Sequence, residues 1–202
     1  MPFGTFKSIE DVARAYQITL RVDEFLHPIL RPVAEHLQER LQLFLEHVPL
    51  RVSEEAACEF LIAPILQETW LGYRDWLTLW SHASFGQEPP LVGRPDYFFS
   101  KRSPLGLVRD QPYVLFMEAK KDDFDAAWAQ CLSAMLAAQK MNKHPEQTIY
   151  GGVSNGRTWG FGKLEAQVFT EDPREFTVSH LPELLAVLHY LFEQSKQLAM
   201  AA

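Results

Sequence analysis

The sequence predicts an α/β sandwich, with a mixed central β-sheet flanked by helices and a helical extension over residues 1–50. Three observations lead there. Hydrophobic periodicity changes along the chain in the order helices, three strands, helix, two strands, helix, which is the order of a layered α/β domain. Tyr113-Val114-Leu115-Phe116-Met117 is an unbroken apolar run, long enough for one buried strand. Asn155-Gly156 lies between two apolar-rich runs, a strong short-range signal for a hairpin with a type I′ turn.

In chain order, residues 8–20 have the pattern of a short helix, with Ile9, Val12, Ala13 and Tyr16 on one face. Asp23 to His47 reads as a longer amphipathic helix, carrying Leu26, Ile29, Leu30, Val33, Leu37, Leu41 and Phe44 at helical spacing. Pro28 and Pro32 sit in its first turns and can delay its start. Ser53 is an N-cap, followed by Glu54 and Glu55 where the macrodipole favours anions. That helix continues through Cys58, Leu61, Ile62, Ile65 and Leu66, interrupted by Pro64. Leu77 to Phe85 and Leu91 to Ser100 are the next expected strands, joined through Gly86-Gln87-Glu88-Pro89-Pro90. The Ser100–Pro112 stretch, rich in Gly, Pro and charge, reads as a connection to the Tyr113 strand. Asp122 or Asp123 caps a helix from Phe124 to about Met141. Ala127, Gln130, Ala134, Ala137 and Met141 form a stripe on it, whose alanines allow close approach to a sheet. The strands Thr148–Val153 and Thr158–Leu164 flank the Asn155-Gly156 turn. Residues 179–199 form a covering helix with Pro182 in its first turn.

A chain of 202 residues with 47% hydrophobic content is one domain able to bury a core. No apolar stretch approaches a membrane span, and the opening Met-Pro-Phe-Gly-Thr-Phe-Lys lacks a signal-peptide apolar region, so a cytoplasmic protein is expected. Cys58 and Cys131 form no C-x-x-C pair and read as buried thiols; the seven histidines show no metal-binding spacing. The net charge of −7 argues against a general nucleic-acid binder. The charge is uneven, however. Residues 86–121 carry six basic and four acidic side chains, a local +2 against −9 elsewhere. Arg94, Lys101, Arg102, Arg109 and Lys121 are therefore expected as a local positive rim able to hold phosphates.

That least acidic region contains the chemically informative residues. The apolar strand ends in Glu118-Ala119-Lys120, and alternation places Glu118 and Lys120 on one face with Ala119 on the other. Pro95-Asp96 opens the apolar segment Tyr97-Phe98-Phe99 upstream. Pairing of the two strands would bring Asp96 beside Glu118 and Lys120 at one sheet edge. Two carboxylates and an ammonium in a cleft suit Mg²⁺ and a polarised water.

Pro95-Asp96 with Glu118-Ala119-Lys120 resembles the signature of the PD-(D/E)XK nuclease superfamily. Ser53-Glu54-Glu55, with Ile62-Ala63-Pro64-Ile65-Leu66 after it, is similar to the leading helix of the N-terminal nuclease domains of type I restriction motor subunits. The Val153–Phe161 hairpin resembles the strands that follow the site helix in those domains. The resemblance covers roughly Ser53 to Leu164 and implies a restriction-endonuclease-like fold and metal-dependent hydrolysis of a phosphodiester, in DNA. It implies that Asp96, Glu118 and the backbone carbonyl of Ala119 hold Mg²⁺ or Mn²⁺, and that Lys120 orients water or stabilises transition-state charge. Gln130 then holds the water or Lys120, and Glu54 supports a second metal. For Glu54, ordinary first-turn helix chemistry stays open, and for Gln130 a place at the margin of the stripe, hydrogen-bonded to solvent or backbone. So do two wider alternatives: a non-catalytic binding or assembly module on the same fold, and a structural protein in which Glu118 and Lys120 form a same-face strand ion pair. Nucleic acid is the expected partner, no membrane is expected, and a homodimer or a protein partner stays open.

Overall fold

The computed structural model describes residues 3–202. A single 3₁₀ turn, Phe3–Thr5, precedes helix α1, Ile9–Tyr16. The Ser8 hydroxyl caps α1 by accepting the Asp11 amide, and Gln17 closes it in the left-handed region at φ 58°. The chain then forms strand β1, Thr19–Val22, where the sequence suggested only the end of a helix.

The helix expected over Asp23–His47 is corrected in the same region. Helix α2 begins only at Glu35 and runs to His47, and residues 23–34 have no regular structure. Pro28 and Pro32 supply no amide donors and disfavour helical angles at His27 and Arg31 before them. Tertiary bonds replace the helix ladder. The Asp172 carboxylate accepts the Phe25 and Leu26 amides at 3.1 and 3.2 Å, and the Ile29 amide donates to the Ala186 carbonyl at 2.9 Å. The extension before residue 50 is thus helical only in part, and its strand belongs to the sheet.

Ser53 caps the next helical run as expected, its hydroxyl accepting the Ala56 amide. The run comprises α3, Glu54–Ala57, a π-helical turn, Cys58–Ile62, and α4, Ala63–Leu71. Pro64 has no N–H to give, and the Ala63 amide reaches back five residues to the Cys58 carbonyl, so the ladder widens there.

Strand β2, Leu77–Ser81, starts where predicted but is shorter, and β3, Tyr97–Ser103, is both shorter and later than predicted. Residues 82–96 form a loop braced by an isolated bridge between Phe85 and Gly93. The Ser100–Pro112 connection is instead one end of a long hairpin. Strand β4 runs Gly106–Ala119, and backbone pairing persists to Ser103–Gly106 across register shifts. Helix α5, Phe124–Asn142, starts at an Asp123 cap. Strands β5, Ile149–Ser154, β6, Thr158–Glu165, β7, Val168–Glu171, and β8, Phe176–Thr177, precede α6, Leu181–Ala201. The turn between β5 and β6 is not type I′. It has three residues, only Gly156 takes a positive φ (86°), and the Asn155 side chain accepts the Arg157 and Thr158 amides.

Among the described residues the eight strands form one mixed sheet in the order β1-β7-β6-β5-β4-β3-β2, with β8 beside β6. The β4–β5 and β1–β7 pairs are parallel and the others antiparallel. One face packs on α6 and the α3–α4 run, the other on α5 and α1. On the first face Tyr97, Phe99, Leu115, Met117 and Ala119 join Phe192 and Leu188. On the second, Phe98 and Phe116 stack at 5.8 Å between ring centres beneath α5. Helix α5 lies so close to β5 that a side chain at Gly151 would meet the sulfurs of Cys131 and Met135. On the strand side it is Gly151, not one of the alanines read from the sequence, that permits this approach.

Candidate functional site

The hairpin register builds the site. Tyr97 pairs with Met117 in the antiparallel β3–β4 ladder, so Asp96 falls opposite Glu118. Phe116 faces α5 while Met117 and Ala119 face the α6 layer, and the alternation carries Glu118 to the α5 side. Beyond the end of β4, the Lys120 amide donates to the Ser154 carbonyl of β5 at 2.9 Å, which keeps the chain in line to that point.

At this end of the parallel β4–β5 pair the helical layers part around a cleft of about 660 Å³. Glu54, Asp96, Glu118, Ala119, Lys120 and Gln130 all line it. Residues spread over 77 positions of sequence, from Glu54 to Gln130, thus meet in one cavity. Asp96 is held on both sides. Its Oδ2 accepts the Ala119 amide at 2.7 Å, and its Oδ1 lies 3.2 Å from His82 Nδ1. Lys120 Nζ sits 3.2 Å from Glu54 Oε2, which ties the α3 N-terminus to the end of β4. Gln130, half-buried on α5, makes no side-chain hydrogen bond within the described residues.

Glu118 is the unusual member. It is 5% exposed, and its Oε1 is buried without a hydrogen-bond partner among the described residues. Burial pushes its carboxyl well above the usual range, and the charge on Asp96 pushes it further. Asp96 is raised as well, by burial first, against the Ala119 amide and His82, which favour its ionised form. The two acids resist simultaneous ionisation unless a cation joins them. A buried oxygen without a donor, facing a second carboxylate across a polar cleft, is what a hard divalent cation would satisfy.

Two lining residues, Cys58 and His82, were not placed in the site by the sequence. Cys58 opens the π-helical turn and is buried, its thiol pushed up to about 12 by desolvation and then by the nearby carboxylates. His82 follows β2 in the left-handed region at φ 46°. Arg94 holds it there, its Nε and Nη2 donating to the His82 carbonyl at 3.0 and 2.8 Å, while the His82 amide donates to the Asp96 carbonyl. The absence of Cys/His clustering along the sequence concealed this grouping, because loop 82–96 makes it only on folding.

The expected basic rim is largely corrected. Of its five members only Arg94 lines the cleft. Lys121 lines an adjoining depression with Arg51 and Arg157. Lys101 and Arg102 line a separate depression beside Trp76. Arg109 lies over the Trp80 ring and donates to the Ser84 carbonyl.

Among the described residues, no helix is long and apolar enough to cross a membrane. The chain matches no family model and no curated protein at a significant level.

Proposed function

We propose that the cleft is the site of a metal-dependent phosphodiester hydrolase, acting on DNA, on a restriction-endonuclease-like fold. One observation carries this reading: the buried, unpartnered Glu118 Oε1 lies opposite Asp96 in a cleft that also holds Lys120. The fold supports it through the β4–α5–β5 unit, whose first strand ends in Glu118-Ala119 with Lys120 directly after it.

Asp96, Glu118 and the Ala119 carbonyl would hold Mg²⁺ or Mn²⁺. When bound, such an ion supplies charge neutralisation at the phosphate and a more acidic water. The chain's own residues supply position. The Ala119 amide and His82 fix the Asp96 carboxylate, so its orientation does not depend on the ligand. Glu54 restrains the Lys120 ammonium at the cleft wall, where it offsets negative charge growing on non-bridging phosphate oxygens. The free Gln130 amide offers both a donor and an acceptor to the attacking water.

The test is strand cleavage by the purified chain on supercoiled plasmid, linear duplex and single-stranded DNA. Mg²⁺ or Mn²⁺ should support cleavage, while Ca²⁺, with looser coordination, should not. Lys120→Ala should lower the rate by about a hundredfold or more. Equal cutting by wild type and Lys120→Ala, or no cutting of any of the three DNAs, would overturn the proposal. A second reading, a non-catalytic assembly module, is favoured by the β3–β4 hairpin tip, where Leu105 and Leu107 are 81% and 90% exposed. Retention of DNA or a partner protein without cleavage would support that reading.

A further inference from the structure

The cleft contains a second set of ligand atoms, of which the hydrolase reading uses only Asp96 as a metal ligand. A thiol from Cys58, an imidazole nitrogen from His82 and a carboxylate oxygen from Asp96 all lie within 4.8 Å of one another. We propose that these three residues form a transition-metal site, of the class that takes Zn²⁺ or Co²⁺, sharing Asp96 with the all-oxygen Mg²⁺ site.

The donor set sets the metal class. One sulfur, one nitrogen and one oxygen suit a borderline-soft ion, and a thiolate is a poor ligand for Mg²⁺ or Ca²⁺. Three protein ligands with a cleft on the remaining side are the arrangement of open, four-coordinate zinc sites. Donor atoms around such an ion lie about 3.3–3.8 Å apart, given bonds of about 2.0–2.3 Å. The present spacing therefore needs closure of about 1 Å, within reach of side-chain rotation at Cys58 and His82.

Two further observations point at this position. The first is the backbone of His82, a non-glycine residue held at φ 46° by two Arg94 bonds to its carbonyl and by the bond from its amide to the Asp96 carbonyl. Left-handed angles at such a residue cost energy and persist only where the surroundings enforce them. Here they aim the imidazole at Asp96. The second is Cys58, which sits at the start of the π-helical turn, with its carbonyl accepting from the Ala63 amide and from the Tyr97 hydroxyl. Single π turns recur at functional sites because they re-aim one side chain of a helix. Orphaned Glu118 Oε1 lines the same cleft and is available to a metal held there.

This inference does not rest on the hydrolase reading, because Cys58 and His82 lie outside the acidic pair and Lys120. The probe is Co²⁺ added to the full chain under a non-thiol reductant. A saturable near-ultraviolet thiolate-to-cobalt band should appear at one equivalent and be displaced by Zn²⁺. Cys58→Ser should abolish the band, Cys131→Ser should leave it unchanged, and His82→Ala should weaken binding by about tenfold or more. Lys120→Ala, which should stop DNA cleavage, should leave the band intact, so the two proposals fail separately. Absence of a thiolate band with wild type, or its survival in Cys58→Ser, overturns the proposal. Should Cys58→Ser not fold, His82→Ala decides, since that side chain is 44% exposed; unchanged cobalt affinity there also overturns it.

Discussion

Asp96 stands across the sheet from Glu118, one register step beyond the Tyr97–Met117 pair, and accepts the Ala119 amide at 2.7 Å. Backbone pairing sets the two acids side by side, and the Ala119 amide and His82 then fix the Asp96 carboxylate. Burial and mutual repulsion make the pair costly to ionise, and that cost is built into the metal-free protein.

The first prediction concerns that cost. The folded-state pKa of Glu118 is raised above its unfolded value, so the folded chain binds more protons between the two. Stability attributable to this group is therefore greatest at low pH and falls as pH rises from the ordinary carboxylate range through the raised value. Glu118→Gln removes the penalty and should raise the melting temperature of the metal-free protein at neutral pH, by about 2–4 °C for each kcal/mol recovered. Thermal melts of the two proteins across pH check this; an identical pH profile for both would contradict it.

A second prediction separates the roles around Lys120. Lys120→Ala should leave divalent-metal affinity within about twofold while cleavage falls about a hundredfold or more. Asp96→Asn should lose metal affinity and cleavage together. Glu54→Gln releases the ammonium from its 3.2 Å partner and should cost about tenfold in rate. Gln130→Ala should be milder than Lys120→Ala, because it orients groups that are already in place. Metal titration beside initial cleavage rates reads all four.

The third prediction tests what anchors the segment 23–34. The Asp172 side chain is fully buried and accepts the amides of Phe25, Leu26 and Arg174 together with the Arg174 guanidinium. Asp172→Ala strands those donors and should destabilise the protein by about 3–5 kcal/mol. The shift in urea midpoint measures it.

A fourth prediction lies far from the cleft. His189 packs against Tyr73 in the α4–α6 layer, and burial, with help from Arg31, lowers its pKa to about 4. Between that value and the ordinary one near 6.5 the unfolded chain binds more protons, so stability present at neutral pH is lost as pH falls through this window. Because the ring is half-exposed, the loss should be about 1–2 kcal/mol rather than the full linkage value. His189→Gln should flatten the slope, as read by denaturant midpoints at several pH values.

Much of this architecture was legible because local and tertiary signals agree. The apolar run of Tyr113–Met117, the Asp123 and Ser53 caps and the Ala-rich face of α5 each specify the element that forms. Legibility failed where tertiary contacts replace local ones. The apolar spacing of Leu26, Ile29 and Leu30 imitates a helix, yet Asp172 and Ala186 hold that stretch by backbone bonds. Strands β1 and β7 are too short to show a period and are defined by pairing, β1 with β7 and β7 also with β6. In the cleft, Asp96, Glu118 and Lys120 could be brought together from the sequence because side-chain alternation and hairpin pairing of two apolar segments fix their places. Cys58 and His82 could not, since their proximity to Asp96 follows from a π turn and a left-handed residue that composition does not reveal.

The most direct measurement is anomalous diffraction from a crystal of the protein soaked in Mn²⁺. One peak is expected between the Asp96 and Glu118 carboxylates, within bonding distance of the Ala119 carbonyl and lost in Glu118→Gln. No peak in the cleft, or a peak that persists unchanged in Glu118→Gln, would contradict it.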